Sequence, residues 1–132
     1  MKSLLKYQIP PLVWVILIYL LSAIPNIHLT FKAPPGVDKI VHAILYFVLC
    51  WLVWRAFHYQ STLPMVRNSA FLGAFIFCVA YGFLDEYHQT FVPGRSSDFY
   101  DVIADTGGAL LFVAIASFRG HHRDKDKDNP ES

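Results

Sequence analysis

Four apolar stretches separated by short polar ones dominate the chain. The first, Ile9 to Ile24, is almost wholly apolar. It opens with Pro10 and Pro11, which a first helical turn tolerates because the missing N–H has no partner there to lose. The second lies between Asp38 and Tyr59, where Ile40 to Trp54 is interrupted only by His42 and Tyr46. The third runs from Asn68 to Leu84 and the fourth from Tyr100 to Phe118. Each has about 16 to 20 residues, near the length a helix needs to cross a bilayer core. The pattern predicts an all-α polytopic membrane protein, a four-transmembrane-helix bundle filling residues 1–118.

The polar stretches read as connections. Met1 to Gln8 is a short basic head with Lys2 and Lys6. The first apolar run has the look of a secretory signal, but Leu21-Ser22-Ala23-Ile24-Pro25 lacks a small-x-small cleavage pattern and further spans follow, so it is expected to stay as a membrane helix. Pro25 to Val37 holds Pro25, Asn26, Pro34, Pro35 and Gly36 and reads as a loop. Gln60 to Arg67 reads as a turn around Pro64, and Thr90 to Phe99 as a loop around Pro93-Gly94. Arg119 to Ser132 alternates bases and acids, and is expected to be a disordered, solvated cytoplasmic tail. The third run is rich in small residues (Ser69, Ala70, Gly73, Ala74, Ala80, Gly82), which let helices approach closely in lipid. Trp51, Trp54 and Tyr59 suit an interfacial aromatic belt.

Composition sharpens this picture. The 132 residues allow one domain, 55% of them hydrophobic and only 16% charged. Soluble domains carry about a quarter charged. Four such helices in so small a chain would leave no polar surface for water. The net charge of +1 says little, but its distribution says more. Counted on alternate sides of the spans, Lys2, Lys6, Arg55, Arg67, Arg119, Arg123, Lys125 and Lys127 face Lys32, Lys39 and Arg95. Cations near span ends favour the cytoplasm, so both termini are expected there. Cys50 and Cys78 lie inside apolar runs and read as small hydrophobes. There is no glycine-rich phosphate loop, no zinc-type Cys/His spacing and no internal repeat. The basic residues are too few and scattered for nucleic acid.

The chemistry concentrates between Tyr81 and Gly108, where Asp85, Glu86, His88, Gln89, Arg95, Asp98, Asp101 and Asp105 sit beside apolar runs. Ionisable groups at membrane depth cost free energy and call for a reason. Helical spacing places Asp38, His42 and Tyr46 on one face of the second helix, with Lys39 beside His42. Tyr81, Asp85 and Gln89 share a face of the third, adjoined by Gly82 and Glu86. Asp98, Asp101 and Asp105 follow a three-and-four spacing on the fourth. Three polar stripes at one depth are expected to turn inward and form a site opening toward the outer leaflet.

Each residue also has an ordinary use. Asp38 could cap the second helix, and Asp98 with Asp101 the fourth. Asp105 lies too deep for a cap and would then join a buried network with Lys39, Arg95 or His42. His88 and Gln89 could simply be solvated, and Arg95 could snorkel. As a functional site, the cluster assigns proton or metal chemistry to His42, Asp85 and Glu86. Arg95, after Pro93-Gly94, offers a fork of donors suited to phosphate or carboxylate, and Ser96 and Ser97 add hydroxyls. Asp38, Lys39, Tyr46, Tyr81, Gln89, Asp101 and Asp105 complete the candidate binding set. The carboxylates could instead hold a divalent cation bridging to a phosphate. The partner this chemistry fits is a membrane lipid or a lipid-linked envelope precursor, with a phosphate or sugar headgroup. No nucleophile with an activating partner is visible, so enzyme and non-catalytic binding module both stand. Conduction is disfavoured, because nothing polar continues through the other halves of the helices.

Four ordered blocks carry a resemblance: Asp38-Lys39-x-x-His42-x-x-x-Tyr46, Tyr81-Gly82-x-x-Asp85-Glu86-x-x-Gln89, Pro93-Gly94-Arg95, and Asp101-x-x-Ala104-Asp105-Thr106-x-Gly108. Together they resemble the VanZ-like family. The resemblance implies a small multi-helix protein of the bacterial cytoplasmic (inner) membrane. The family's namesake is associated with resistance to the lipoglycopeptide teicoplanin. Asp105 stands where many members carry Asn.

Overall fold

The computed structural model describes residues 2–25, 36–95 and 97–128. Among them there are helices and turns and no strand: α1 (Lys2–Tyr7), α2 (Ile9–Ser22), α3 (Val37–His58), α4 (Pro64–Asn68), α5 (Ala70–Gln89) and α6 (Phe99–Asp128). Four helical segments are long and apolar enough to cross a membrane: Leu5–Ser22, Val37–His58, Ala70–Gln89 and Phe99–Gly120. No more than 33% of any of them is buried inside the bundle. Leu12, Ile16, Ile44, Ile76 and Leu110 are all more than half exposed around its girth. So large a continuous apolar surface is untenable in water and ordinary in lipid. The fold is that of a multi-pass membrane protein.

The spans run up, down, up, down. His42 meets Asp105 and Phe47 meets Phe112, so α3 and α6 point the same way. Gln8 reaches the Ala56 carbonyl at 2.9 Å, Trp14 the Leu45 carbonyl at 3.0 Å, and Ser22 meets Asp85. Hence α2 runs against α3 and alongside α5. The start of the bundle and the far end of α6 lie at one pole, and the beginnings of α3 and α6 at the other.

A narrow core threads the middle, built from Ile18 of α2, Tyr46, Leu49, Cys50 and Val53 of α3, Ala74 and Cys78 of α5, and Ala109 and Phe112 of α6. It is tight because small residues stand at the crossings. A Cβ on Gly108 would strike the Ala43 carbonyl oxygen and lie 2.8 Å from its carbon, so α3 and α6 touch backbone to backbone. A Cβ on Gly73 would sit 3.1 Å from the Phe57 ring. This is the close approach that small residues permit between helices in lipid.

Several boundaries differ from the sequence reading. The basic head is helical, because nothing from Lys2 to Tyr7 breaks a helix. Pro64 begins the short helix α4 within the expected turn. The segment drawn as a disordered tail continues α6 to Asp128. Only Gly120 interrupts it before Pro130, and one glycine costs a helix about 1 kcal/mol. Most of the loop expected at 25–37 falls on positions 26–35, outside the described residues.

Candidate functional site

Local chain chemistry sets the polar pole. Gly36 takes a left-handed φ of 90° and starts α3, so Asp38 is not the cap; it lies in the first turn. The turn before α6 runs from Val92 to Arg95, with the Arg95 N–H donating to the Val92 carbonyl at 3.1 Å. Pro93 and Gly94 hold its two central positions, and Gly94 has φ 77°. Proline then positive-φ glycine is the signature of a type II turn. The turn aims Arg95 back across the bundle. Asp98 caps α6: its Oδ1 accepts the Tyr100 N–H at 2.9 Å. The neighbouring Lys39 ammonium, and then that N–H, hold the Asp98 carboxyl below the usual carboxylate range.

Most members of the predicted stripes turn inward and meet, whereas Asp38 stays exposed beside Lys39. Lys39 of α3 lies 3.1 Å from Asp38 and hydrogen-bonds Asp98 and Asp101 at the start of α6. One turn deeper, His42 Nδ1 and Asp105 Oδ1 are 2.9 Å apart, with Asp105 1% exposed. Across the bundle, Asp85 Oδ2 accepts the Ser22 hydroxyl at 2.9 Å and the Gln89 amide at 3.2 Å. Glu86 turns toward the chain entering α6, where its Oε2 accepts the Asp98 N–H at 2.7 Å. His88 is half-buried rather than solvated, its ring 4.5 Å from that of Tyr19.

Two residues take roles the stripes did not suggest. Arg95 gives its Nε and one Nη to the Ile24 and Leu21 carbonyls, each at 3.2 Å, and its other Nη to Gln89 Oε1 at 3.1 Å. It thus ties off the C-terminal end of α2, whose last carbonyls have no partner within the helix. Tyr81 donates to the Val15 carbonyl at 2.9 Å and pins α5 to α2. Ser96 lies outside the described residues. Among the described residues, no three His, Cys, Asp or Glu side chains converge as metal ligands would.

The first helix is the contributor that stripe reasoning missed. The site was expected between the second, third and fourth helices, yet Ser22 and two carbonyls of the first complete it. One clue was present: α2 ends with no basic residue in its last turn. Carbonyls at a helix end call for donors from elsewhere in the chain, and Arg95 adds to the long Ile24 N–H bond at Leu21 and serves Ile24 itself.

Between α2, α3 and α5 lies a cavity of about 360 Å³. Ser22, His42, Tyr46, Asp85 and Arg95 line it, together with Ile18, Leu21, Val41 and Leu45. Several buried polar atoms at this pole have no partner, among them Tyr46 Oη, Asp85 Oδ1, Glu86 Oε1 and Asp105 Oδ2. Such orphans are costly in a low-dielectric interior unless a ligand or water answers them. With His42 Nδ1 taken by Asp105, Nε2 is the ring nitrogen left for chemistry.

Among protein families, the model described as VanZ/LLP1 matches residues 3–120. No curated protein and no solved structure matches the chain.

Proposed function

This chain belongs to the VanZ/LLP1 family, and from that premise we propose that it binds or modifies a lipid-linked component of the cell envelope in the cavity beside His42 and Asp85. The observation that carries this reading is the lining. A wall of leucine, isoleucine and valine meets a wall of buried polar groups at one end of the spans. An amphiphile with an apolar chain and a polar head has that same division. The opposite pole gathers Lys6, Arg55 and Arg119, which favours placing it at the cytoplasm. On that orientation the termini are cytoplasmic and the cavity faces the outer leaflet of the bacterial inner membrane.

If the bound component is turned over, the chemistry falls to His42. Asp105 on Nδ1 fixes the imidazole's orientation, leaving Nε2 to take or give a proton. Asp85 orients the substrate beside it. Teicoplanin resistance would follow from holding the envelope component and is read directly by drug susceptibility on expression. The test of the site is the purified protein with candidate lipids, compared with His42→Ala and Asp85→Asn. Loss of binding or turnover in well-folded variants supports the reading; full retention in both sinks it.

A second reading has its own observation. Lys39, Arg95, Gln89 and His42 all have partners inside the protein. That supports a non-catalytic module binding a lipid, an antibiotic or a partner protein, its polar cluster fixing the bundle. Here Asp85→Asn and Asp105→Asn would lower the melting temperature in detergent with no separate loss of ligand.

A further inference from the structure

Two side chains that line the cavity carry orphaned buried atoms, and these differ in what they ask for. Tyr46 is fully buried and its hydroxyl has no partner, so it offers a donor in search of an acceptor. Asp85 is 3% exposed; its Oδ2 already takes two donors, while Oδ1 takes none and offers an acceptor. Both side chains line the same cavity. A phosphate brings negative charge and chiefly acceptors, with at most one P–O–H in a monoester, and would answer Tyr46 while being repelled by Asp85. An ammonium brings only donors and would answer Asp85 alone. A hydroxyl group brings one of each.

Arg95, the residue suited to seize an anion, is largely committed. Three of its N–H groups already point at Ile24, Leu21 and Gln89. A guanidinium has about five such donors in all. Moving it onto a phosphate would strip the Ile24 carbonyl of this donor and leave the Leu21 carbonyl only the Ile24 N–H at 3.4 Å. Resting on the reading of this cavity as a headgroup site, we propose that it selects an uncharged, hydroxyl-bearing headgroup, a sugar or glycerol unit on an apolar chain, over a phosphate. The apolar wall of Ile18, Leu21, Val41 and Leu45 takes the chain.

The test measures retention of four lipids with matched chains by the full-length protein in nanodiscs, read by native mass spectrometry. They are a glucosyl-diacylglycerol, a diacylglycerol, a phosphatidic acid, and a diacylglycerol whose free hydroxyl is methylated. The expected result is glucosyl lipid, diacylglycerol or both held about ten-fold better than phosphatidic acid, about the weight of one to two hydrogen bonds. Which of the two is held better names the source of the hydroxyl. Tyr46→Phe removes the donor at nearly unchanged volume and lowers retention of the hydroxyl lipids about three- to ten-fold. Asp85→Asn removes the repelling charge and raises phosphatidic acid retention several-fold, a gain that simple loss of structure would not produce. Phosphatidic acid held as well as or better than the hydroxyl lipids overturns this inference and leaves the headgroup site standing. So does a Tyr46→Phe variant with an undiminished preference. Equal retention of all four, methylated lipid included, overturns the inference and the headgroup reading together.

Discussion

At the pole where α3 and α6 begin, acids outnumber cations, and the cations among the described residues are answered inside the protein. Lys39 bridges α3 to Asp98 and Asp101, His42 meets Asp105, and Arg95 holds the end of α2. At the opposite pole the cations of the spans, up to Gly120, stand without acids, for residues 2–24, 43–84 and 106–120 contain none. There aromatic rings answer them: Arg55 lies 5.0 Å from the Trp51 ring and 5.4 Å from Tyr7, and Lys6 lies 5.3 Å from Tyr7. Tyr7 stacks on Tyr59 and Trp54 on His58. The first pole uses charge to join helices around a cavity. The second presents charge and aromatic edges outward, as anchoring at a lipid–water boundary requires.

The sharpest way to break the first pole is at its backbone contact. Gly108→Ala drives a methyl group into the Ala43 carbonyl and should cost 3 kcal/mol or roughly more, above the common range for overpacking. Its neighbour is the control: a Cβ on Gly107 meets nothing within 4 Å, so Gly107→Ala should melt at or slightly above the parent protein. Equal melting temperatures for both variants in detergent would contradict the crossing described here. Next in size is Lys39→Met, which strands Asp98 and Asp101. A broken buried pair costs about 3–5 kcal/mol, but the Lys39 side chain is 29% exposed, so about 1–2 kcal/mol is expected. Adding Asp101→Asn should recover part of that loss; no recovery would mean the pairing is incidental.

At the second pole Arg55→Ala removes two ring contacts, each worth about 0.5–1 kcal/mol at an exposed site. Stability should fall by about 1 kcal/mol while lipid retention in the cavity stays unchanged. A changed lipid preference would show the poles to be coupled. The smallest effect concerns pH. Because Asp98 titrates lower in the folded protein than in the unfolded chain, its contribution is present above the unfolded carboxylate value, about 3.9, and is lost as pH falls through the folded one. A melting curve that declines with acid below about pH 4 should therefore flatten slightly in Asp98→Asn.

The two poles were not equally legible in the sequence. Long apolar runs announced the spans, and four-residue spacing put Asp38, His42 and Tyr46 on one face. Pro93-Gly94 announced its turn. The part played by α2 carried no periodic signal, because a lone Ser22 and two backbone carbonyls leave no stripe. Arg95 was read as an anion fork because its fork geometry is visible in the sequence, whereas the helix end it serves lies 71 residues away from it. The helical continuation to Asp128 was missed because charge alternation resembles a solvated tail, although nothing before Pro130 forbids a helix.

An experimental structure of the protein purified in native membrane nanodiscs tests the account most directly. The account predicts an ordered amphiphile between α2, α3 and α5, its head within about 3 Å of Tyr46 Oη and Asp85 Oδ1 and its chain along Leu21 and Leu45. A cavity closed by side chains, with those two atoms bonded to the protein itself, would contradict it.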